Sequence, residues 1–305
     1  MTNKKFLFVY PIEGYQDSLS EDLRLAISSL GYCTASCTYD ELGFKTSRMN
    51  YTNSDVVFLI SLGYQLPTTA LKNFPGMKIM LAGDDPQAFK VNRFGRIKKI
   101  LLRKSSVFGE FMGNLINARN FDLILTSDLT AYSRYLSKKI DARYFPYWSR
   151  SRGKIPDTKG SRVYDLVSVM NINSQRQRLI NQLSANSSIN FKAWHGIPSH
   201  KIVSLYDNSK SVFNECSYGE INIRYFEALG SGCNVFSNCE LHREDLQEME
   251  LDKYVIEWNK KTKFREIQAG DICKLRDVER ENLIKFIKAT HSSESRARQL
   301  LSYVA

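Results

Sequence analysis

Histidine is scarce, with four in 305 residues. The six cysteines (Cys33, Cys37, Cys216, Cys233, Cys239 and Cys273) include no C-x-x-C pair. Without clustered histidines or paired cysteines, no zinc site is expected. The scattered thiols read as buried and reduced, which suits a cytoplasmic protein. Cys33 and Cys37 stand four apart in an expected strand, so alternation puts both on one face. Also lacking is any run near the roughly 20 apolar residues that cross a bilayer. The opening Met-Thr-Asn-Lys-Lys-Phe-Leu-Phe-Val-Tyr carries an apolar run of only about five residues before Pro11, against the roughly 7–15 of a signal-peptide core. It reads as a first strand. Neither an internal repeat nor a low-complexity tract occurs.

What is present is the composition of a globular chain, with 43% hydrophobic and 25% charged residues. The length suits two domains of ordinary size. Lys and Arg number 43 against 32 Asp and Glu, a net charge of +11. Such a field favours an anionic partner. Nucleotide sugars, anionic lipid headgroups and nucleic acid all qualify, and charge alone does not choose among them.

Strands are expected at Lys5–Tyr10, 33–39, 55–61, 77–82, 121–126 and 142–145, those at 55–61 and 77–82 as continuous apolar runs. Runs of this kind suit parallel strands buried on both faces. A helix fits after the first, capped by Ser18 or Ser20 and ended by Gly31. Further helices fit 67–74 and 128–138. This alternation predicts a doubly wound α/β sheet over residues 1–150. The basic, aperiodic 151–161 reads as a linker. A second domain of the same class, 162–305, then opens with a strand at 165–170 and a helix carrying Arg176 and Arg178. Strands at 189–194 and 254–258 and helices at 276–290 and 292–304 complete it. The last helix has the option of packing back on the first domain. Two Rossmann-like domains of this class are expected to face a central cleft, a favoured kind of ligand site. A diphosphate bound there would meet Arg176 and Arg178.

Candidate site residues cluster at strand ends. Gly14, in the turn after the first strand, is a phosphate-loop candidate. Asp84 and Asp85 follow the fourth strand, where carboxylates bind hydroxyls or take a proton; Asp85-Pro86 equally reads as a simple turn. Residues 90–104 hold seven bases around Ile97, Ile100 and Leu101. They read as a membrane-surface helix, a phosphate-binding edge or a solvated surface helix. His195 follows a strand and suits a phosphate, a sugar or a structural role beside Trp194.

The most informative stretch is 209–237. It reads as apolar strand, glycine turn, short helix, glycine break and buried strand, with Glu220, Arg224 and Glu227 about the helix start. A turn and helix N-terminus offer free N–H groups to an anion, and a carboxylate nearby accepts from hydroxyls. The same punctuation also fits any α/β fold.

Four segments in order resemble the CgeB-like, group-1-type glycosyltransferases of the GT-B fold. They are Phe121-Asp-Leu-Ile-Leu-Thr-Ser-Asp128 with Ala142-Arg-Tyr-Phe-Pro-Tyr147; Asp165-Leu-Val-Ser-Val-Met170 leading to Arg176; Tyr206-Asp-Asn-Ser-Lys-Ser-Val-Phe-Asn214 with Arg224-Tyr-Phe-Glu-Ala-Leu-Gly-Ser-Gly232; and His291 with Ser295-Arg-Ala-Arg-Gln-Leu-Leu301. The acidic-proline turn Asp84-Asp85-Pro86 is similar too. The resemblance implies a metal-independent enzyme with a nucleotide diphospho-sugar as donor and a glycan or lipid-linked acceptor in surface polysaccharide synthesis. It implies that Glu227 holds the ribose or sugar and that Arg176 neutralises the diphosphate, with Arg224 or Lys210 helping. Asn214 falls in the matching motif. Glu220 stands one residue nearer Glu227 than the paired glutamates of retaining relatives. Asp84 or Asp85 is the candidate base. A cytoplasmic protein touching the inner membrane face through 90–104 would fit. Modified DNA bases as acceptor, and a binding protein without turnover, are the alternatives.

Overall fold

The computed structural model describes residues 4–11, 19–45, 54–61, 71–72, 74–82, 117–150, 162–216, 221–238 and 243–305. Gly14, the aspartates 84 and 85, the basic segment 90–104, the linker 151–161 and Glu220 lie outside the described residues. The chain divides into two compact units: Met1–Pro146 together with Ser293–Ala305, and Tyr147–Ser292.

Unit 1 holds β1 (Lys5–Tyr10), α1 (Leu19–Ser29), β2 (Cys33–Thr38), α2 (Tyr39–Lys45), β3 (Val56–Ser61), β4 (Met77–Ala82), β5 (Leu123–Thr126), α3 (Leu129–Ser137) and β6 (Ala142–Tyr144). Its strands form one sheet in the order β2-β1-β3-β4-β5-β6, every adjacent pair parallel. The apolar runs become central strands: Leu7, Val9, Val57, Leu59, Met80 and Ile124 are buried together. Asp128 caps α3, accepting from the Ala131 amide at 2.8 Å. Gly31, at φ +89°, ends α1 as expected. Ser20 is not its cap, because it lies within the helix and is buried. Cys33 is exposed and Cys37 buried, since β2 is an edge strand and Cys33 its first residue.

Unit 2 holds β7 (Tyr164–Val169), α4 (Ser174–Ser184), β8 (Phe191–Trp194), α5 (Ser199–Asp207), β9 (Ser209–Asn214), α6 (Ile223–Gly230), β10 (Asn234–Ser237), α7 (Arg243–Glu248), β11 (Val255–Glu257), α8 (Ala269–Ile272) and α9 (Asp277–Thr290). The sheet runs β11-β10-β9-β7-β8, all parallel. Phe213 stacks on Trp258 at 5.6 Å, and Phe264 meets Trp258 edge-on at 5.3 Å. These rings fill one face of the sheet. The other face carries α6, which α9 covers. The final helix, α10 (Ser293–Val304), belongs to unit 1 and packs on α1 there. Its Arg296 donates to Pro146 O at 2.9 Å, and Lys4 Nζ donates to Val304 O.

Both places where the chain passes between the units are joined within unit 2. Ser149 and Ser292 form a parallel bridge, and Ser149 N donates to His291 O at 2.7 Å. Gly230, last residue of α6, lies under this pairing: a Cβ there would sit 2.4 Å from Ser149 Oγ and 3.1 Å from Ser149 Cβ. Gly230→Ala is therefore expected to destabilise the protein by about 1–3 kcal/mol through overpacking. Gly270→Ala, where a Cβ meets nothing within 4 Å, is the control and is expected to be neutral or stabilising. Urea unfolding of the two variants checks the contrast.

Candidate functional site

In unit 2 the strand order reverses at β7. Its next strand in sequence, β8, lies on one side, and β9 lies on the other. Open parallel sheets bind ligands at the carboxyl ends of the strands flanking such a point. Here those ends are Met170–Asn173 after β7 and Glu215–Cys216 after β9.

An ion pair joins the two ends. Arg176 Nε donates to Glu215 Oε2 at 2.7 Å, Arg176 Nη2 to Glu215 O at 3.0 Å and Arg176 Nη1 to Asn171 O at 2.9 Å. Gln175 Nε2 donates to the other carboxylate oxygen, Oε1, at 2.9 Å. The Glu215 side chain is 1% exposed, so its charge depends on this pairing. Asn173 starts α4 by accepting from Arg176 N at 2.9 Å, which sets the guanidinium toward β9.

Beside this pair a buried polar cluster ties β9 to β10. Cys216 N donates to Asn238 Oδ1 at 2.8 Å and Asn238 Nδ2 to Cys216 O at 3.0 Å. Tyr225 Oη donates to Ser237 Oγ at 2.7 Å, and Ser237 Oγ to Asn214 O at 2.8 Å. Cys216, just after β9, is thereby held through both its amide and its carbonyl.

Helix α6 follows that loop. Asn222 caps it, accepting from Arg224 N at 3.0 Å. Tyr225 through Gly230 are buried, so Glu227 is a carboxylate in a packed interior. Its Oε1 lies 3.2 Å from Arg150 Nε, with the glutamate side chain 3% and the arginine 21% exposed. That contact has the distance of an ion pair without the alignment of a hydrogen bond. Arg150 Nε is thus buried with no hydrogen-bond partner, as are Arg224 Nε and Tyr206 Oη. Tyr206, on α5, is fully buried. Burial pushes its phenol well above the usual range, the Glu227 charge adds to this, and Arg224 opposes it. One carboxylate, two guanidinium groups and a phenol therefore share one polar locus, an arrangement suited to a polyhydroxylated anion.

The residues expected from the sequence divide. Arg176 comes to the carboxyl end of β9, beside Glu215, while Arg224 lies in the first turn of α6 and Glu227 in its second, buried beside Arg150. Lys210 does not come to that end: it is the second residue of β9, at the amino end of the strand, and pairs there with Asp165 at 2.7 Å. Burial alone would raise the Asp165 carboxyl, but the Asn190 amide and Lys210 outweigh it and hold the group below its usual range. Asn214 stands at the right edge but is buried, its amide donating to Cys216 Sγ at 3.3 Å and Asn222 Oδ1 at 3.4 Å; it serves the scaffold. Arg178 is exposed on α4, and His195 is exposed after β8 at the sheet edge. Glu215, Arg150 and Tyr206 are members of the site that the sequence reading missed. Glu215 carried one signal, an acid directly following an apolar strand.

Removing Arg176 strands the buried Glu215 charge. Arg176→Met is expected to cost about 3–5 kcal/mol, and Arg176→Met with Glu215→Met to recover most of it. A double-mutant cycle by urea unfolding checks the coupling.

A family model described as glycosyl transferase-like matches residues 175–302. The matched span includes Arg176, Glu215 and the whole of α6. None of the curated protein sequences matches the chain. Among solved structures, the glycotransferase of kitacinnamycin is similar at 10% identity over 100% of both chains, with a TM-score of 0.56. A candidate UDP-N-acetylglucosamine 2-epimerase from Listeria monocytogenes is similar at 11% identity, over 99% of this chain and 96% of that one, with a TM-score of 0.59. Medicago truncatula UGT71G1, complexed with UDP-glucose, is similar at 7% identity over 99% of this chain and 98% of that one, with a TM-score of 0.56. Identities this low speak to fold alone. With its two parallel sheets, the chain has the two-domain, Rossmann-like GT-B architecture shared by these proteins, and its second half is similar to the glycosyl transferase-like family.

Proposed function

We propose that the protein is a glycosyltransferase of CgeB-like type. It moves a sugar from a nucleotide diphospho-sugar to a glycan or lipid-linked acceptor in bacterial surface polysaccharide synthesis, at the cytoplasmic face of the membrane. The observation that carries this reading is the glycosyl transferase-like match over 175–302, because its span includes the buried Glu227 of α6. A uridine diphosphate sugar, which UGT71G1 carries in its structure, is the donor class tried first.

Each group then has a task. Glu227 accepts hydrogen bonds from donor hydroxyls. Negative charge accumulates on the diphosphate as it departs, and guanidinium groups aimed there stabilise it. Arg224 is the better placed of the two expected arginines, since its Nε is uncommitted, whereas Arg176 already shares its charge with Glu215. Asp84 or Asp85 is the base for the acceptor hydroxyl. No metal takes part.

Glu227→Ala is expected to lower transfer at least about a hundredfold while the circular dichroism spectrum is retained. The assay follows nucleotide release across a panel of uridine and other nucleotide sugars. Undiminished transfer in the variant would refute the reading. Transfer by the wild-type protein is expected to survive an excess of EDTA; loss of turnover that Mg²⁺ restores would count against the metal-free part.

A further inference from the structure

Arg150 sits at the edge of the basic stretch that reads as a linker. Its guanidinium nonetheless reaches the interior, 3.2 Å from Glu227 Oε1. An ion pair with only a structural task spends its donors on its acceptor, as Arg176 does on Glu215. Arg150 and Glu227 are close but not aligned, and Arg150 Nε, Arg224 Nε and Tyr206 Oη are all buried without a hydrogen-bond partner. Buried polar atoms in native proteins are almost always satisfied. Arg150 Nε is at Glu227 itself, and the Tyr206 phenol feels the charges of both Glu227 and Arg224; donors left open in this way suit a ligand's acceptors.

We propose that Arg150 is a positioning residue for the donor: its charge keeps Glu227 ionised and facing the donor's hydroxyl groups. This rests on the functional reading above. The guanidinium does not contact the reacting atoms. It acts through the carboxylate, which with one cation fewer beside it would hold its charge less readily in so buried a position. Protonated, Glu227 would lose an acceptor that the donor hydroxyls need.

The test measures donor affinity against pH by isothermal titration calorimetry, with UDP-glucose, UDP-galactose and UDP-N-acetylglucosamine as probes. The proteins are the wild type and the Arg150→Gln, Arg150→Lys and Glu227→Gln variants. Wild-type affinity is expected to change little between pH 8 and pH 6. Arg150→Gln is expected to bind the donors more weakly at pH 6 than at pH 8, the direction that easier protonation of Glu227 imposes. Arg150→Lys keeps the charge and should follow the wild type in its pH dependence. Glu227→Gln should bind weakly at every pH. Arg150→Gln with wild-type affinity at both pH values would overturn the positioning role and leave the functional reading intact. Wild-type protein that binds none of these probes and no other nucleotide diphospho-sugar of the panel above, or Glu227→Gln that binds like wild type, would overturn the functional reading and this inference with it. Should Arg150→Gln fail to fold, Arg150→Lys decides: affinity within about threefold of wild type supports the role, and a loss as large as that of Glu227→Gln overturns it.

Discussion

A carboxylate in a packed interior is the constraint around which unit 2 is arranged. Glu227 is almost wholly enclosed on α6, and a charge so placed requires a cation. The cation comes from Arg150, on the segment by which the chain arrives from unit 1. Bringing that segment onto α6 requires the bare surface of Gly230 beneath Ser149. It also brings Ser149 beside His291 and Ser292, where the chain leaves again. His291 in turn lies against Phe226 of α6, with ring centroids 5.7 Å apart, and meets Met249 O at 3.2 Å. The buried charge, the close packing of α6, the two chain passages and α9 thus meet at one place.

Polar groups of the candidate site fall into two kinds. Around Cys216 the amides, hydroxyls and carbonyls satisfy one another, and the Arg176–Glu215 pair is closed in the same way. Satisfied networks of this sort rigidify what they hold, here residues 171–173 after β7 and 215–216 after β9. In the locus of Glu227, Arg150 Nε, Arg224 Nε and Tyr206 Oη have no hydrogen-bond partner. A rigid frame beside uncommitted donors is the division that precise ligand binding calls for.

Strand positions were legible because strands buried on two faces are unbroken apolar runs; β4 begins and ends where Met77 and Ala82 suggest. The short helices α2, α7 and α8 were not, since a turn or two of helix has too few residues for a period to emerge. For the site, α6 was legible from its glycine punctuation and from Arg224 and Glu227. Arg150 was not, because nothing local distinguishes one arginine in a basic, aperiodic run. The partner of Arg176 lies 39 residues away, and no pattern along the chain links the two. Lys210 misled because its residue type suited a phosphate; counting its place from the start of β9 would have put it at the amino edge.

The parallel bridge between Ser149 and Ser292 means that unit 2 begins and ends at one spot, as an inserted cassette does. Unit 1 is interrupted by it and is completed by α10, whose Arg296 and Val304 are held by Pro146 and Lys4. During synthesis the strands of unit 1 appear first, yet its closing helix emerges only after all of unit 2. Domains generally fold as units while the chain is made. The unit that starts first is therefore the one that finishes last, and it waits with the surface of α1 uncovered until Ser293–Val304 arrive.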